Sequence, residues 1–520
     1  MADSTVEAPA VVESDGAARP WPRVPRSPHV YGVGALAAVI AVVYSVLSVT
    51  LYYTYQDGVY DLGIFDQAIR SFAHFQPGIS IAKGVHNFGN PNFSVLGDHF
   101  SPIDALLAPL YWICNSPIDL LVAQAVLFAL AIPPIWVFTM RAFGGGRKGT
   151  AAAYFVAIAY GVSWPITAAV GFDFHEVAFA PLLTALALER LQKGRLKTAL
   201  VVLAGLVLVK EDMGLYVAGL GLGLALTRNL GIPRQRLTGL VIVVIGVIFS
   251  LVAIYVFIPA MGGDSGYYWA YQELGPNAAT AVRHVLEYPL SSAGNLFTPS
   301  EKLRTMLELF APFLFLSFLS PFVLPVIPLL LERMLGVRYP AWWSNQYQYN
   351  AYLIVPIALG SVDGALRAER WLTWLGRRWG SLGILRRLDG KLALGATGVF
   401  AVIALALVPQ FDIGKMLHPS FYKRTPVESA EAAAVTHVPA GVLVEAAGSL
   451  GVHLDARDTV ELWGSGSPEF PQWAVASVSA AQLGFHDVAD QVERVDELRA
   501  HGYVTVFSQD GYLVMHAPGA

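Results

Sequence analysis

Four short clusters in this 520-residue chain carry carboxylates, three of them beside an imidazole or an amine. They are Tyr60-Asp61-Leu62-Gly63-Ile64-Phe65-Asp66-Gln67, Gly97-Asp98-His99-Phe100-Ser101-Pro102, Phe172-Asp173-Phe174-His175-Glu176 and Lys210-Glu211-Asp212. Carboxylates and imidazoles take and return protons, and a nearby ammonium stabilises charge developing on a departing phosphate. Transfer of a sugar from a lipid phosphate to a hydroxyl needs both devices. A carboxylate such as Asp61 would supply the base. Lys210, a basic loop residue such as Arg283, or a divalent cation (Mg or Mn) would supply the positive charge. Asp98, His99, His175 and Glu176 are metal ligands by type, although no compact metal motif joins them. Glu211, Asp212 and Tyr349 complete the candidate binding set.

Each of these residues also has a purely structural reading. Aspartate is a preferred helix N-cap, which suits Asp61 or Asp66, and Asp98 before Ser-Pro suits a turn. Lys210 pairing with Glu211 or Asp212 would make their burial tolerable. The aromatic runs around Tyr267-Tyr268-Trp269 and Trp342-Trp343 suit anchoring at a membrane interface.

The elements that must position these clusters are membrane helices. Only 14% of the chain is charged, against about 25% in soluble domains, 55% is hydrophobic and the mean hydropathy is +0.52. Charge-free runs between Val30 and Gln410 read as about eleven spans, an all-α bundle, because only a helix pairs its own backbone groups in lipid. Arg19, Arg23 and Arg26 precede the first span (30–52), so the positive-inside rule puts the N-terminus in the cytoplasm and the large loop 53–101 outside. Arg141, Arg147 and Lys148, then Arg190, Lys193, Arg195 and Lys197, then the segment from Arg367 to Lys391 mark later cytoplasmic turns. The run 103–114 is too short to span and reads as interfacial or re-entrant. The stretch 199–227 reads as a hairpin whose tip carries Lys210-Glu211-Asp212 below the outer surface, since charge facing lipid is costly. Two short helices, 307–318 and 322–331, break at Ser320-Pro321. All four clusters thereby fall on or just beneath the external face.

The first 29 residues, rich in Ala, Pro, Glu and Ser, read as a disordered tail. Parity leaves 411–520 outside as a small α/β domain: a strand at 441–445, helices near 428–434 and 489–500, and strands 503–507 and 512–516 joined by a Gln509-Asp510-Gly511 turn. A net charge of −4 gives no reason to expect nucleic-acid binding, and no phosphate-loop motif points to an ATP-driven pump. The single cysteine, Cys114, excludes an internal disulfide and reads as a packed core residue.

The order YDLGIFDQA, GDHFSP, FHE, KEDMGLY, SPFVLPVIPLLLERMLG and NQYQYNAYLIVPI, with a GYVTVFSQDGYLVMH hairpin at the end, resembles bacterial membrane proteins of domain-of-unknown-function family 2079. The resemblance covers most of residues 55–365. Tyr347-Gln348-Tyr349 stands where that family is expected to carry a His-rich YHYHY stretch. The family is similar to glycosyltransferases of the C-type fold. That implies an active site on the external side, a polyprenyl-phosphate sugar donor and inversion at the anomeric carbon. A catalytic aspartate is then expected soon after the first span, where Asp61 matches best and Asp66 second; Leu62 replaces the Glu of the Asp-Glu pair in many relatives. The expectation is a glycosyltransferase of the bacterial plasma membrane acting on an extracytoplasmic acceptor. The alternatives are a transporter or flippase of a lipid-linked or small polar solute, and a non-enzymatic envelope assembly protein.

Overall fold

The computed structural model describes residues 28–227, 230–379, 390–466 and 470–520. The N-terminal tail and much of the basic turn before Lys391 lie outside them.

The chain is mostly helical. Among the described residues, six helical stretches are long and apolar enough to cross a membrane: Pro28–Tyr53, Ile118–Ala142, Gly146–Val170, Gln235–Ala260, Pro340–Arg378 and Lys391–Gln410. The first, α1 (Pro28–Tyr53), has 26 residues; at 1.5 Å per residue it is about 39 Å long, more than a hydrocarbon core. Two helices, α2 (Ile64–Ala73) and α3 (Ile81–Phe88), fold the loop that follows it. Neither Asp61 nor Asp66 is a helix cap: the N-cap of α2 is Gly63, Asp61 lies in a one-turn π-helix at Val59–Gly63, and Asp66 is buried inside α2. The segment Pro102–Trp112 is a 3₁₀ helix with Pro109 inside it; proline removes an α-helical donor, and the short element matches the non-spanning reading. Cys114, just beyond, is exposed rather than packed.

Next come α4 (Ile118–Leu130), α5 (Ile132–Ala142), α6 (Gly146–Gly161), α7 (Trp164–Val170) and α8 (Phe179–Gln192). The basic turns at the end of α5 and of α8 meet, Arg141 donating to Glu189 at 2.6 Å. The expected hairpin is present as α9 (Leu196–Val207) and α10 (Met213–Leu226), with Lys210–Asp212 at its tip. Helix α11 (Gln235–Val252) packs along α10 at backbone contact distance. Gly214, Ala218, Gly221 and Ala225 on α10 face Gly239, Ile242, Gly246 and Ser250 on α11, and a Cβ at Gly246 would collide with the Gly214 carbonyl. Small residues let helix backbones approach this closely where no hydrophobic force joins them in lipid. Gly246→Val is therefore expected to cost about 1–3 kcal/mol or more of stability, read as a lower unfolding temperature in detergent. Gly34→Val, where a side chain meets nothing within 4 Å, should leave it unchanged.

The region from 300 to 335 is more broken than expected. A helix at Ser300–Phe310 gives way to three 3₁₀ turns before the helix Val326–Leu335. Leu314 and Phe315 hold left-handed φ of 54° and 56°, a region that side-chain-bearing residues seldom adopt.

The C-terminal portion holds a five-stranded sheet in the order β2-β1-β3-β5-β4. Strands β1 (Leu443–Ala446), β2 (Thr459–Leu462) and β3 (Trp473–Ser477) are parallel, and the hairpin β4 (Val504–Gln509) and β5 (Tyr512–His516) joins β3 antiparallel. Strands β1, β4 and β5 match expectation; β2 and β3 are additional. This sheet does not stand apart. Val59, Ile64, Ala68, Ala82 and Val95 from the loop after α1 share one hydrophobic core with Leu450, Val460, Leu462 and Trp463. His453 stacks on Tyr55 at 4.0 Å and lies 4.2 Å from Tyr52, and burial with the nearby Arg424 charge pushes its imidazole down to about 3. It docks as a neutral ring.

Candidate active site

The π-turn that carries Asp61 is held from behind by Asp173, whose Oδ2 accepts from the amides of Gly58 (3.1 Å) and Leu62 (3.3 Å). Asp173 belongs to the loop between α7 and α8. That loop is tied to α4 by Gln124, which donates to the carbonyls of Ala169 and Asp173 and accepts from the His175 amide at 3.2 Å. The two segments therefore arrive in register, and His175 Nε2 lies 3.5 Å from Asp61 Oδ1. Asp61 is half-exposed with a side chain 36% accessible, while His175 is 7% accessible and packs between Phe172 and Phe65. An open carboxylate against a walled imidazole is the geometry a base needs: reach on one side, orientation on the other.

From this pair the charges continue in a chain. Glu176, next to His175, faces Lys210 Nζ at 3.4 Å. Glu211, next to Lys210, accepts from the Phe100 amide at 3.1 Å and lies 2.8 Å from His99 Nδ1. Asp98, next to His99, faces Lys83 Nζ at 3.0 Å and accepts from the Tyr268 hydroxyl at 2.7 Å. The hairpin tip is fixed by Ser250 Oγ on α11, which donates to the Glu211 carbonyl at 2.7 Å. All four sequence clusters thus meet at one end of the bundle, the end on which the C-terminal sheet rests. Asp212 Oδ1 is buried without a partner, and Lys210 lies 6.0 Å from the ring centre of Tyr349.

Asp66 does not join them. It is buried and held by Arg70 at 2.5 Å and the Tyr111 hydroxyl at 2.5 Å, on the side of α2 facing the 3₁₀ segment. Its carboxylate is committed to this buried pair and not to the shared centre. The four residues read as metal ligands also separate: Asp98 faces Lys83, His99 faces Glu211, His175 faces Asp61 and Glu176 faces Lys210. As arranged they do not fit one cation. Among the described residues, the one group of three such ligand atoms that gathers within 4.8 Å is His486, Asp487 and Asp490, exposed in the C-terminal portion.

Two cations escape sequence reasoning. Lys83 is 3% exposed and reaches the hydroxyls of Tyr60 and Tyr268 as well as Asp98; burial opposes its charge, but Asp98 together with Tyr60 and Tyr267 outweighs that and pushes the amine up to about 12. Arg333 is buried at 4%, donates to Asn350 Oδ1 at 3.1 Å, lies 5.7 Å from the Tyr352 ring centre and leaves Nη2 without a partner. Tyr349 lies within electrostatic reach of both Lys210 and Arg333.

Behind Asp61, two buried carboxyls meet. Asp57 is 5% exposed, with Oδ2 unpartnered, and burial pushes its carboxyl up to about 7 against the Asp173 contact that lowers it. A carboxyl raised above its ordinary value of 3.8 lends stability below that value and loses it as pH rises through the raised one. The contribution of this pair to the unfolding temperature is therefore expected to fall as pH climbs from about 4 to about 7. Asp57→Asn, which keeps the pair at one charge, should flatten that slope; an unchanged slope would remove this pair as its source.

The helical architecture and the polar end of the bundle define a multi-pass membrane protein with the fold of ArnT. The structures of ArnT from Cupriavidus metallidurans bound to undecaprenyl phosphate and in the apo state superpose with TM-scores of 0.51 and 0.52. They cover 95% and 94% of this chain and 99% and 98% of their own, at 13% and 12% identity. No curated protein sequence matches the chain. The chain belongs to the family of predicted membrane proteins DUF2079, whose model matches residues 51–514.

Proposed function

We propose that this protein is a C-type inverting glycosyltransferase of the bacterial plasma membrane, moving a sugar from a polyprenyl-phosphate donor to an extracytoplasmic hydroxyl acceptor. The observation that carries the reading is the unbroken alternation Asp61–His175, Glu176–Lys210, Glu211–His99 and Asp98–Lys83 at one end of the bundle. On this reading the shorter helices α9 and α10 and the broken segment 300–335 add to the six long spans, towards the eleven expected from the sequence, and 411–520 lies outside. The likeness to a protein crystallised with undecaprenyl phosphate supports the donor class.

Asp61 takes the proton of the acceptor hydroxyl. The acceptor oxygen bonds to the anomeric carbon from the face opposite the phosphate. The carbon–oxygen bond to the phosphate breaks, and polyprenyl phosphate leaves with the electron pair. Lys210 and Arg333, flanking Tyr349, hold the charge that appears on it. Lys83 and His99 orient the second wall, and no step is assigned to a metal.

The test is reconstitution in proteoliposomes with radiolabelled polyprenyl-phosphate sugars and an acceptor extract. Label should move to an acceptor with release of polyprenyl phosphate. Label that crosses the bilayer with its phosphate bond intact would instead fit the transporter reading.

A further inference from the structure

Beyond the last long span the chain builds an open hollow lined mainly by polar side chains. A cleft of about 310 Å³ is lined by Gln56, Lys415, His418, Ser420, Lys423 and Glu428, with Phe421 and Thr425 closing it. Its lining sets two ammonium groups against one carboxylate. Lys415 is oriented by Asp412 at 2.7 Å but remains half-exposed, and Lys423 is exposed. Glu428, the one carboxylate in the lining, is committed to the Thr425 amide at 2.6 Å in a capping box. Arg424, next to Lys423, is fixed by donating to the Tyr53 carbonyl at 2.7 Å and lying over the Tyr55 ring.

The cleft begins where the stretch Lys391–Gln410 ends. Its rim carries Leu417 and Tyr422, 66% and 49% exposed, an apolar and an aromatic side chain of the kind that seats at headgroup level. Two ammonium groups, an imidazole, a hydroxyl and a carboxamide around one hollow match a phosphate monoester or diester, with donors for its oxygens and charge for its anion. The volume leaves room for more than the phosphate alone. Asp412, which aims Lys415, packs against Gly171, where a Cβ would strike its carboxylate. Gly171 opens the loop that carries His175, and Gln56 precedes Asp57, so the cleft adjoins the candidate active site without sharing its charged groups.

We infer that this cleft is a second site for a phosphate group at the membrane surface, separate from the centre built around Asp61. The inference does not depend on the transfer reaction. The full chain in detergent would be titrated with phosphatidylglycerol, phosphatidylcholine and inorganic phosphate, and adducts read by native mass spectrometry. Phosphatidylglycerol should bind in preference to phosphatidylcholine. K415Q/K423Q should weaken that binding about ten-fold, K415R/K423R should keep it, and Asp61→Asn should leave it unchanged. Displacement of the lipid by inorganic phosphate would make the source a soluble phosphate ester; persistence of the lipid would make it a membrane headgroup. Equal binding by the wild type and K415Q/K423Q, or binding of neither phosphate form by the wild type, would overturn the assignment.

Discussion

Asp61→Asn is expected to lower sugar transfer by about 10²–10⁴-fold, the usual contribution of a positioned general base, with the donor KM little changed. Asparagine keeps the shape of the side chain and the π-turn of residues 59–63, which Asp173 holds through the amides of Gly58 and Leu62. What it loses is the ability to accept the acceptor proton. The kcat should therefore fall while the unfolding temperature stays, and His175→Ala should reproduce part of the loss by leaving Asp61 unoriented. Asp66→Asn separates the two aspartates. It breaks the buried contact with Arg70 and should lower stability, with any loss of transfer following the fraction folded. Transfer at wild-type rate in Asp61→Asn would remove it from the role of base.

The second large effect is expected at Lys210. Lys210→Met leaves Glu176, 3% exposed, as an unpaired buried carboxylate, and breaking such a pair costs about 3–5 kcal/mol. It also removes a cation from the wall proposed to receive the phosphate. These two consequences separate in the double variant Lys210→Met/Glu176→Gln, which restores charge balance in the pair. Its unfolding temperature should recover most of the loss while its donor KM stays raised and its kcat stays low. If transfer recovered together with stability, Lys210 would be a structural partner of Glu176 and nothing more.

The residue types of the centre were legible in the chain, because carboxylates and imidazoles at the ends of apolar runs are costly and rarely without a role. The pairing between them was not. His99 meets Glu211 across 112 residues, and no spacing rule reaches that far. Lys83 belongs to no motif, and only the fold brings Tyr60, Asp98 and Tyr268 round its amine. Arg333 lies buried in the apolar helix Val326–Leu335, and its partner Asn350 comes from a separate segment. The metal-ligand expectation came from type alone and did not anticipate that each ligand would be taken by a different neighbour. Strand β3 is buried at every position, so it lacks the alternation that marks a half-exposed strand, whereas the β4–β5 hairpin announced itself through its Asp-Gly turn. The breaks near Leu314 and Phe315 depend on left-handed backbone at bulky residues, which composition does not foretell.

The sharing of one core between the loop after α1 and the C-terminal sheet gives that sheet a mechanical part in the account. Gln67 donates to Asp455 Oδ1 at 2.8 Å and to the Val460 carbonyl at 3.0 Å, and accepts from the Ala82 amide at 3.0 Å. The segment that carries Asp61 is thus clamped between membrane helices on one side and the sheet on the other, which limits how far its carboxylate can wander.

The most direct measurement is photo-crosslinking in proteoliposomes with a polyprenyl phosphate that carries a photoreactive group beside its phosphate, read by peptide mass spectrometry. One shared centre predicts label on the segments around Asp61, Lys210 and Tyr349 together, suppressed by unmodified polyprenyl phosphate. Label confined to lipid-facing helix surfaces and indifferent to that competitor would show that these segments do not receive the lipid phosphate, and would contradict the account.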